Sequence, residues 1–270
     1  MRFALISDVH FGPLTHFEGK LRKLTHRAED LCSAFVERMN RRDQPDLVVN
    51  LGDVIEDEDR ERDLEQYGRF IRTMADLQAP LLHVAGNHDQ INLSDDDLRT
   101  FWQHQGPLFY SRDVAGIHFC VLRTLEIQDR AVHLPDEQLV WLRQDLERAT
   151  GPSVVLMHHP ASEMRLDGNR WFDKRPHVCR VAERRALQRV VSEAGNVIAV
   201  FNGHVHWNHF DVIDGVPYVT IQSLIENVDD DAPGRAANAF AVCDVDERRL
   251  VILVDGAEPV RYQVELARRG

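Results

Sequence analysis

Five short apolar runs in this chain stop at the same kind of residue, and that repetition restricts the folds open to it. FALIS (3–7) is followed by Asp8 and His10, LVVNLG (47–52) by Asp53, LLHVAG (81–86) by Asn87 and His88, SVVLM (153–157) by His158, and AVFNG (199–203) by His204 and His206. Together with IHFCVL (117–122), these runs have the length and composition of strands. The segments between them have helical period. Leu21, Leu24, Ala28, Leu31, Phe35 and Met39 predict one amphipathic helix, and Leu64, Tyr67, Ile71, Met74 and Leu77 a second. Ser94 ahead of DDD reads as an N-cap, Pro135 opens DEQLVWLRQDLERA, and Val181, Leu187, Val190, Val191 and Ala194 lead to Gly195. Strands alternating with helices predict an α/β protein.

After residue 210 the texture changes. DVIDGVPYVTIQS, AFAVCDVDERRLVILVDG and RYQVEL are separated by turn signals at Asp214-Gly215 and Asp246 to Arg248, which predicts antiparallel ribbons. NVDDDAPGRAAN (227–238) is the expected mobile surface loop. With no internal repeat or linker, one domain over residues 1–270 is the economical reading, and 43% hydrophobic content in 31.1 kDa can build its core.

A formal net charge of −12 disfavours binding to nucleic acid polymers or anionic membranes and points to a small ligand. Cys32, Cys120, Cys179 and Cys243 are widely spaced, without a CxxC signature, and suit buried thiols in a reducing cytoplasm. The N-terminus lacks the apolar stretch of a signal peptide, and no run approaches the roughly 18 residues of a membrane span. A cytoplasmic protein, compatible with a homo-oligomer, is expected.

The carboxyl ends of strands in an α/β sheet face one crevice, so polar residues at five strand ends meet there. Asp8/His10 and His204/His206 are i, i+2 pairs that point one way in extended chain. Gly52, Gly86 and Gly203 each precede a candidate ligand, where a missing side chain permits a sharp turn. Two carboxylates, one amide and four imidazoles without a thiolate suit Mn, Fe or Zn ions. Seven side chains exceed the needs of one ion, whereas two ions sharing a carboxylate would use them all.

D-x-H, G-D, G-N-H-D, H-H-P and G-H-x-H, in this order over residues 5 to about 210, resemble the calcineurin-like metallophosphoesterases. Among these, the chain is similar to bacterial phosphodiesterases of the class III cyclic-nucleotide type. The resemblance implies a four-layer αββα sandwich with two mixed β-sheets flanked by helices. It also implies that Asp8, His10, Asp53 and His206 hold one ion and that Asp53, Asn87, His158 and His204 hold the other, with Asp53 bridging. His88 would sit over the substrate phosphate as the acid, and Asp89 would orient it through a hydrogen bond. Hydroxide formed between the ions would attack phosphorus, since metal coordination lowers the pKa of water from about 15.7 to about 7.

The expected activity is hydrolysis of a small phosphodiester, nucleotide-derived or otherwise. A phosphomonoesterase or a nucleotide-diphosphate pyrophosphohydrolase would share the centre. A nuclease and a noncatalytic interaction module are further alternatives, and a helical HD hydrolase is excluded because His88-Asp89 follows a strand and a Gly-Asn turn. Gln90 and Ile91 follow Asn-His-Asp where some relatives place a phosphate-binding arginine, which leaves cyclic nucleotide specificity open. In MRLDGNRWFDKRPHV (164–178), Arg170, Lys174 or Arg175 would meet a phosphate and Trp171 would stack on a base; Trp207-Asn208 would line the cleft. His83 and His118 read as core histidines, His159 as the residue turned away beside His158, and Glu56 as part of a solvated helix start.

Overall fold

Phe3 and Leu5 belong to one apolar core and Ala4 and Ile6 to another, so the first apolar run is buried on both faces. Successive side chains of an extended segment point to opposite faces, and both faces here meet protein. The same holds for the other central strands. The computed structural model describes residues 1–128, 130–229 and 231–266.

Strands β1 (Arg2–Ile6), β2 (Leu47–Asn50), β3 (Leu81–His83), β4 (Tyr110–Val114), β5 (Ile117–Val121), β6 (Leu125–Ile127) and β7 (Ala131–His133) occupy the first half of the chain. Strands β8 (Ser153–Leu156), β9 (Val197–Asn202), β10 (His209–Ile213), β11 (Val216–Thr220), β12 (Phe240–Val245), β13 (Arg249–Asp255) and β14 (Val260–Glu265) follow. The helices are α1 (Ala28–Arg38), α2 (Arg60–Met74), α3 (Asp95–Trp102), α4 (Asp136–Arg148) and α5 (Arg184–Ala194). One sheet has the order β14-β13-β12-β1-β2-β3 and the second β10-β11-β9-β8-β5-β4, with β6 and β7 as a separate ribbon.

Both large sheets are mixed. β1, β2 and β3 run parallel, as do β5, β8, β9 and β11, while β12 to β14, β4 and β10 are added antiparallel. Phe3, Leu5 and Val49 of the first sheet meet Phe119, Val154 and Phe201 of the second across the central core. Helices α1, α2 and α3 cover the outer face of the first sheet, and α4 and α5 that of the second, giving four αββα layers.

Local chemistry explains the element ends. Ser94 and Asp97 form a reciprocal capping box on α3, and the Asp59 side chain accepts from Arg62 N to start α2. Leu21 and Leu24, read as the first turn of α1, are buried in an irregular segment instead, because Leu24 N bonds to Ile225 O and ties it to the chain beyond β11. The segment 227–238 is anchored: Asn227 Nδ2 donates to Leu21 O and Asp231 O, and its Oδ1 accepts from Asp229 N and Arg235 N. Asp230 of that segment lies outside the described residues. Among the described residues no helix is long and apolar enough to cross a membrane.

Phe3 meets Phe119 and Phe201 edge-on, with ring centroids 5.4 and 5.8 Å away, at the middle of the sandwich. Phe3→Ala is expected to cost about 3–5 kcal/mol, the range for emptying an aromatic site in a closed core. A shift of the urea midpoint at unchanged slope checks it, and a cost below about 1 kcal/mol would contradict a shared central core.

Candidate metal centre

Five of the seven predicted ligands sit in left-handed backbone: Asp8 (φ 52°), His10 (42°), Asp53 (54°), His204 (70°) and His206 (60°). Such conformations cost a residue with a Cβ free energy of order 1–3 kcal/mol each and persist where the surroundings over-determine them. Here the loops bind one another. Asp8 N donates to Gly52 O at 3.0 Å, His10 N to Asp53 O at 3.1 Å, and His204 N to Asp8 Oδ2 at 3.0 Å. The close approach requires three glycines, and at Gly52 a Cβ would come within 2.7 Å of Gly86 N. A Cβ at Gly86 would come within 2.1 Å of Asp53 N and Oδ1, and one at Gly203 within 1.8 Å of Ser7 Oγ and 2.5 Å of Asp8 Oδ2.

Each of the four predicted histidine ligands has one ring nitrogen facing an outer partner and the other turned to a common centre. His158 Nδ1 lies 2.8 Å from Leu51 O, and His204 Nε2 lies 3.3 Å from Val178 O. His206 Nδ1 is hydrogen-bonded to Glu226 Oε2 at 2.7 Å, while His10 Nδ1 stands 2.9 Å from Glu56 Oε2 as a charge contact without hydrogen-bond geometry. Hydrogen-bonded outer partners fix ring orientation and tautomer. On the inner side, His10 Nε2 is 3.3 Å from His206 Nε2, which is 3.4 Å from Asp8 Oδ1. His158 Nε2 is 3.0 Å from Asn87 Oδ1, 3.2 Å from His204 Nδ1 and 3.3 Å from Asp53 Oδ2. Asp53 Oδ2 also lies 3.8 Å from His10 Nε2, between the two groups.

Atoms each about 2.0–2.1 Å from one ion stand roughly 2.8–3.4 Å apart in octahedral or tetrahedral array, so the donor set fits two neighbouring cations with Asp53 between them. The charge balance supports the same fit. Burial opposes ionisation of Asp53 and Asp8, yet His158 beside Asp53 and His206 beside Asp8 hold both carboxyls below the usual range. In return, although burial acts against their charge, His158 and His206 are pushed up to about 9 by these carboxylates. Burial lowers His10 to about 4, with the Lys23 charge adding to it, and also lowers His204. Protons thus stand where cations would, and metal binding would displace them.

Asp89 does not orient His88. Its carboxylate accepts from Asp53 N (3.0 Å), Val54 N (2.9 Å), Ile55 N (3.4 Å) and Gly86 N (2.8 Å), tying together two ligand-bearing loops. Burial and the Asp53 charge push its pKa up to about 7. The partner of His88 Nδ1 is Asp57, while His88 N donates to Asp53 Oδ1 at 3.0 Å. Burial and Lys23 act against a charge on His88, but Asp53 and Asp57 outweigh them and raise its pKa.

His159 Nδ1 lies 2.7 Å from Thr124 Oγ1, but its ring stays beside the centre, with its centroid 4.1 Å from that of His204 and 4.8 Å from that of His158. His83 stacks on Trp102 and His118 lies between Asp113 and Asp145. Glu56 is not a solvated helix start: it is 6% exposed and bonds Lys23 Nζ at 2.7 Å as well as facing His10. Glu226 escaped sequence reading, because it lies beyond β11, outside the five strand ends. Asp57 and Glu56 lay within reach of it, being four and three residues past Asp53 in an acid-rich stretch.

His88, Asn87, Trp171, Arg175, Phe17 and Lys23 help line a cleft of about 700 Å³ over the centre, together with Asp57, Glu126 and Arg123. Arg170 is not part of that wall; it donates to Asn227 O at 2.6 Å and Val228 O at 3.1 Å. Lys174 and Trp207 are likewise absent from it; Trp207 packs with Met164, Leu166, Cys179 and Val205. Gln90 donates to Gly86 O and Thr124 O and accepts from Arg123 Nε at 2.7 Å.

Gly203→Ala is expected to break the Ser7–Asp8–His204 contact and lower bound metal below half of the wild-type ratio while the far-ultraviolet circular dichroism is kept. Elemental analysis after dialysis checks it; full metal loading would show that the loops can separate without losing the centre.

Residues 1–208 match the calcineurin-like phosphoesterase family model. The chain is 27% identical over 209 residues to a probable cyclic nucleotide phosphodiesterase of Fibrobacter succinogenes, covering 76% of this chain and 73% of that protein. It is 26% identical over 211 residues to a cAMP/cGMP dual specificity phosphodiesterase of Mycobacterium tuberculosis, covering 75% and 63%. A dimetal phosphatase from Danio rerio superposes with a TM-score of 0.81 over 98% of this chain and 99% of its own, at 18% identity, which shows a shared fold. A purple acid phosphatase from yellow lupin seeds, Lupinus luteus, does so with a TM-score of 0.69 over 99% and 53%, at 13% identity. The fold, the strand-end ligands and the match over residues 1–208 agree, and this chain belongs to the calcineurin-like phosphoesterase family.

Proposed function

We propose that this protein is a binuclear-metal phosphodiesterase acting on a small phosphodiester, with a nucleotide-derived diester as the first candidate. The observation that carries the reading is the convergence of seven oxygen and nitrogen donors, with His158, His204 and His206 held through their outer nitrogens and His10 facing Glu56, beneath a cleft walled by His88. The names of the two phosphodiesterase relatives support the substrate class.

Asp8, His10, Asp53 and His206 would hold one ion, and Asp53, Asn87, His158 and His204 the other; the donor types suit Mn, Fe or Zn. When bound, the ions would supply Lewis acidity towards a phosphoryl oxygen and a water nucleophile at neutral pH. The chain supplies the rest. Asp57 accepts a hydrogen bond from His88 Nδ1–H and stabilises the imidazolium, whose Nε2–H is the proton given to the leaving oxygen. Ions at the centre would oppose a charge on His88, so proton retention there depends on Asp57. Trp171 and Phe172 line the cleft beside the centre.

The cleft charges give a monoester no advantage over a diester. Lys23 is engaged by Glu56, and Arg123 by Asp95 through two bonds of 2.7 and 2.8 Å and by Gln90. Asp57 and Glu126 add negative charge to the same wall and Arg175 a positive one, so the lining carries no excess of cations that would favour a monoester dianion over a diester monoanion.

With Mn²⁺-loaded protein, turnover of bis-(p-nitrophenyl) phosphate is expected to exceed that of p-nitrophenyl phosphate, and the reverse order would replace this reading with a phosphomonoesterase. His88→Ala is expected to keep both ions and lower kcat by about 10²- to 10⁴-fold, the usual contribution of a general acid. Loss of an ion equivalent in that variant would make His88 a ligand instead. Asp57→Asn is expected to reduce kcat by at least about 10-fold with KM little changed, because it removes the charge that keeps the His88 proton; unchanged kcat would remove Asp57 from the mechanism.

A further inference from the structure

Both histidines on one side of the centre are wired to a single rim residue. Glu226 Oε2 lies 2.7 Å from His206 Nδ1, and the same carboxylate accepts from Trp171 Nε1 at 3.2 and 3.3 Å. The Trp171 ring stands 5.4 Å from that of His206. On the other branch His10 Nδ1 faces Glu56 Oε2 at 2.9 Å, and Glu56 binds Lys23 Nζ at 2.7 Å. Lys23 Nζ in turn lies 5.2 Å from the ring centroids of Trp171 and Phe17, which meet edge-on at 4.8 Å. A cation over an aromatic face gains most where it is desolvated, and the Lys23 side chain is 4% exposed.

The opposite side is anchored differently. His158 and His204 present their outer nitrogens to the backbone carbonyls of Leu51 and Val178. Phe172 packs on the His204 ring at 4.6 Å, a contact that fixes no tautomer. One ion position is therefore oriented by main chain, and the other by two side-chain carboxylates that share a tryptophan of the cleft wall.

We propose that Glu226 is a positioning residue that couples the ion position of Asp8, His10, Asp53 and His206 to the seating of Trp171, so that the rim of the substrate cleft and the loading of that ion depend on each other. The coupling is reciprocal: an ion that fixes the His206 ring stabilises the Glu226–Trp171 bond, and loss of that bond weakens the ion. It assigns Trp171 a role other than stacking on a base. The inference rests on the binuclear reading above.

The test titrates Zn²⁺ into metal-free protein, following binding with a chromophoric chelator and tryptophan emission in parallel. In wild type, Zn²⁺ is expected to shift the emission, and in Trp171→Phe, which keeps the ring and loses the N–H, that shift disappears and one of the two affinities falls severalfold. Glu226→Gln, which keeps the side-chain shape, is expected to weaken one ion by about 10- to 100-fold, leave the second unchanged and lose the emission shift even when both ions are loaded. Asn87→Ala, on the other side, weakens the other ion and keeps the shift. Wild-type protein that takes up no Zn²⁺ overturns the binuclear reading and the coupling with it. Wild type that loads two ions, with Glu226→Gln matching it in both affinities and in emission, overturns the coupling alone.

Discussion

Buried carboxylates set the terms for the rest of this structure. Asp8 and Asp53 are 0% and 2% exposed, and Glu56 and Glu226 close behind them are 6% and 4% exposed. An ionised carboxylate out of water is costly unless charge and hydrogen bonds compensate it. Each of the four has such partners: Asp8 has Ser7, His204 N and His206; Asp53 has His88 N and His158; Glu56 has Lys23 and His10; Glu226 has His206 and Trp171. His158 and His206, whose pKa values these carboxylates raise, offset the negative charge, and cations at the same place would do so more strongly.

The same groups hold the two halves of the sandwich together at one end. Asp53 follows β2 in the first sheet and His158 follows β8 in the second, and they meet at 3.3 Å. Asp8 follows β1 and receives His204 N from the segment after β9. Central packing of Phe3, Phe119 and Phe201 fixes the distance between the sheets, and the strand-end loops use it. Asp89 gathers four backbone N–H groups from the Asp53 and Gly86 turns. The strained left-handed backbone of the ligand residues is thereby supported from several directions, which is the condition under which strain at a functional site persists.

The cleft wall carries the cations Lys23, Arg123 and Arg175. Lys23 and Arg123 are tied to Glu56 and to Asp95, so their contribution is to shape and to the local field, while Asp57 serves His88. Gln90 occupies the place after Asn-His-Asp and is bonded to Arg123, so the guanidinium near that position comes from the segment after β5 instead of from the Asn-His-Asp turn itself.

The sequence by itself determined the central strands, most helices and the seven candidate ligands, though not β4, β6 or β7, because the former are encoded by short-range signals: period along the chain, capping residues such as Ser94, and polar residues at strand ends. Asp8, His10, Asp53, Asn87, His158, His204 and His206 do meet at one place. What lies one contact further out was decided only by the tertiary structure. The family resemblance implied a hydrogen bond between Asp89 and His88, but a short turn sends the two side chains to different loops and brings Asp57 to the imidazole. Glu56 and Glu226 look like ordinary polar residues in sequence; they become partners of His10 and His206 because the chain segments after β2 and after β11 pack against the same end of the sandwich, and a carboxylate's partner is set by distance in space, which no local pattern records.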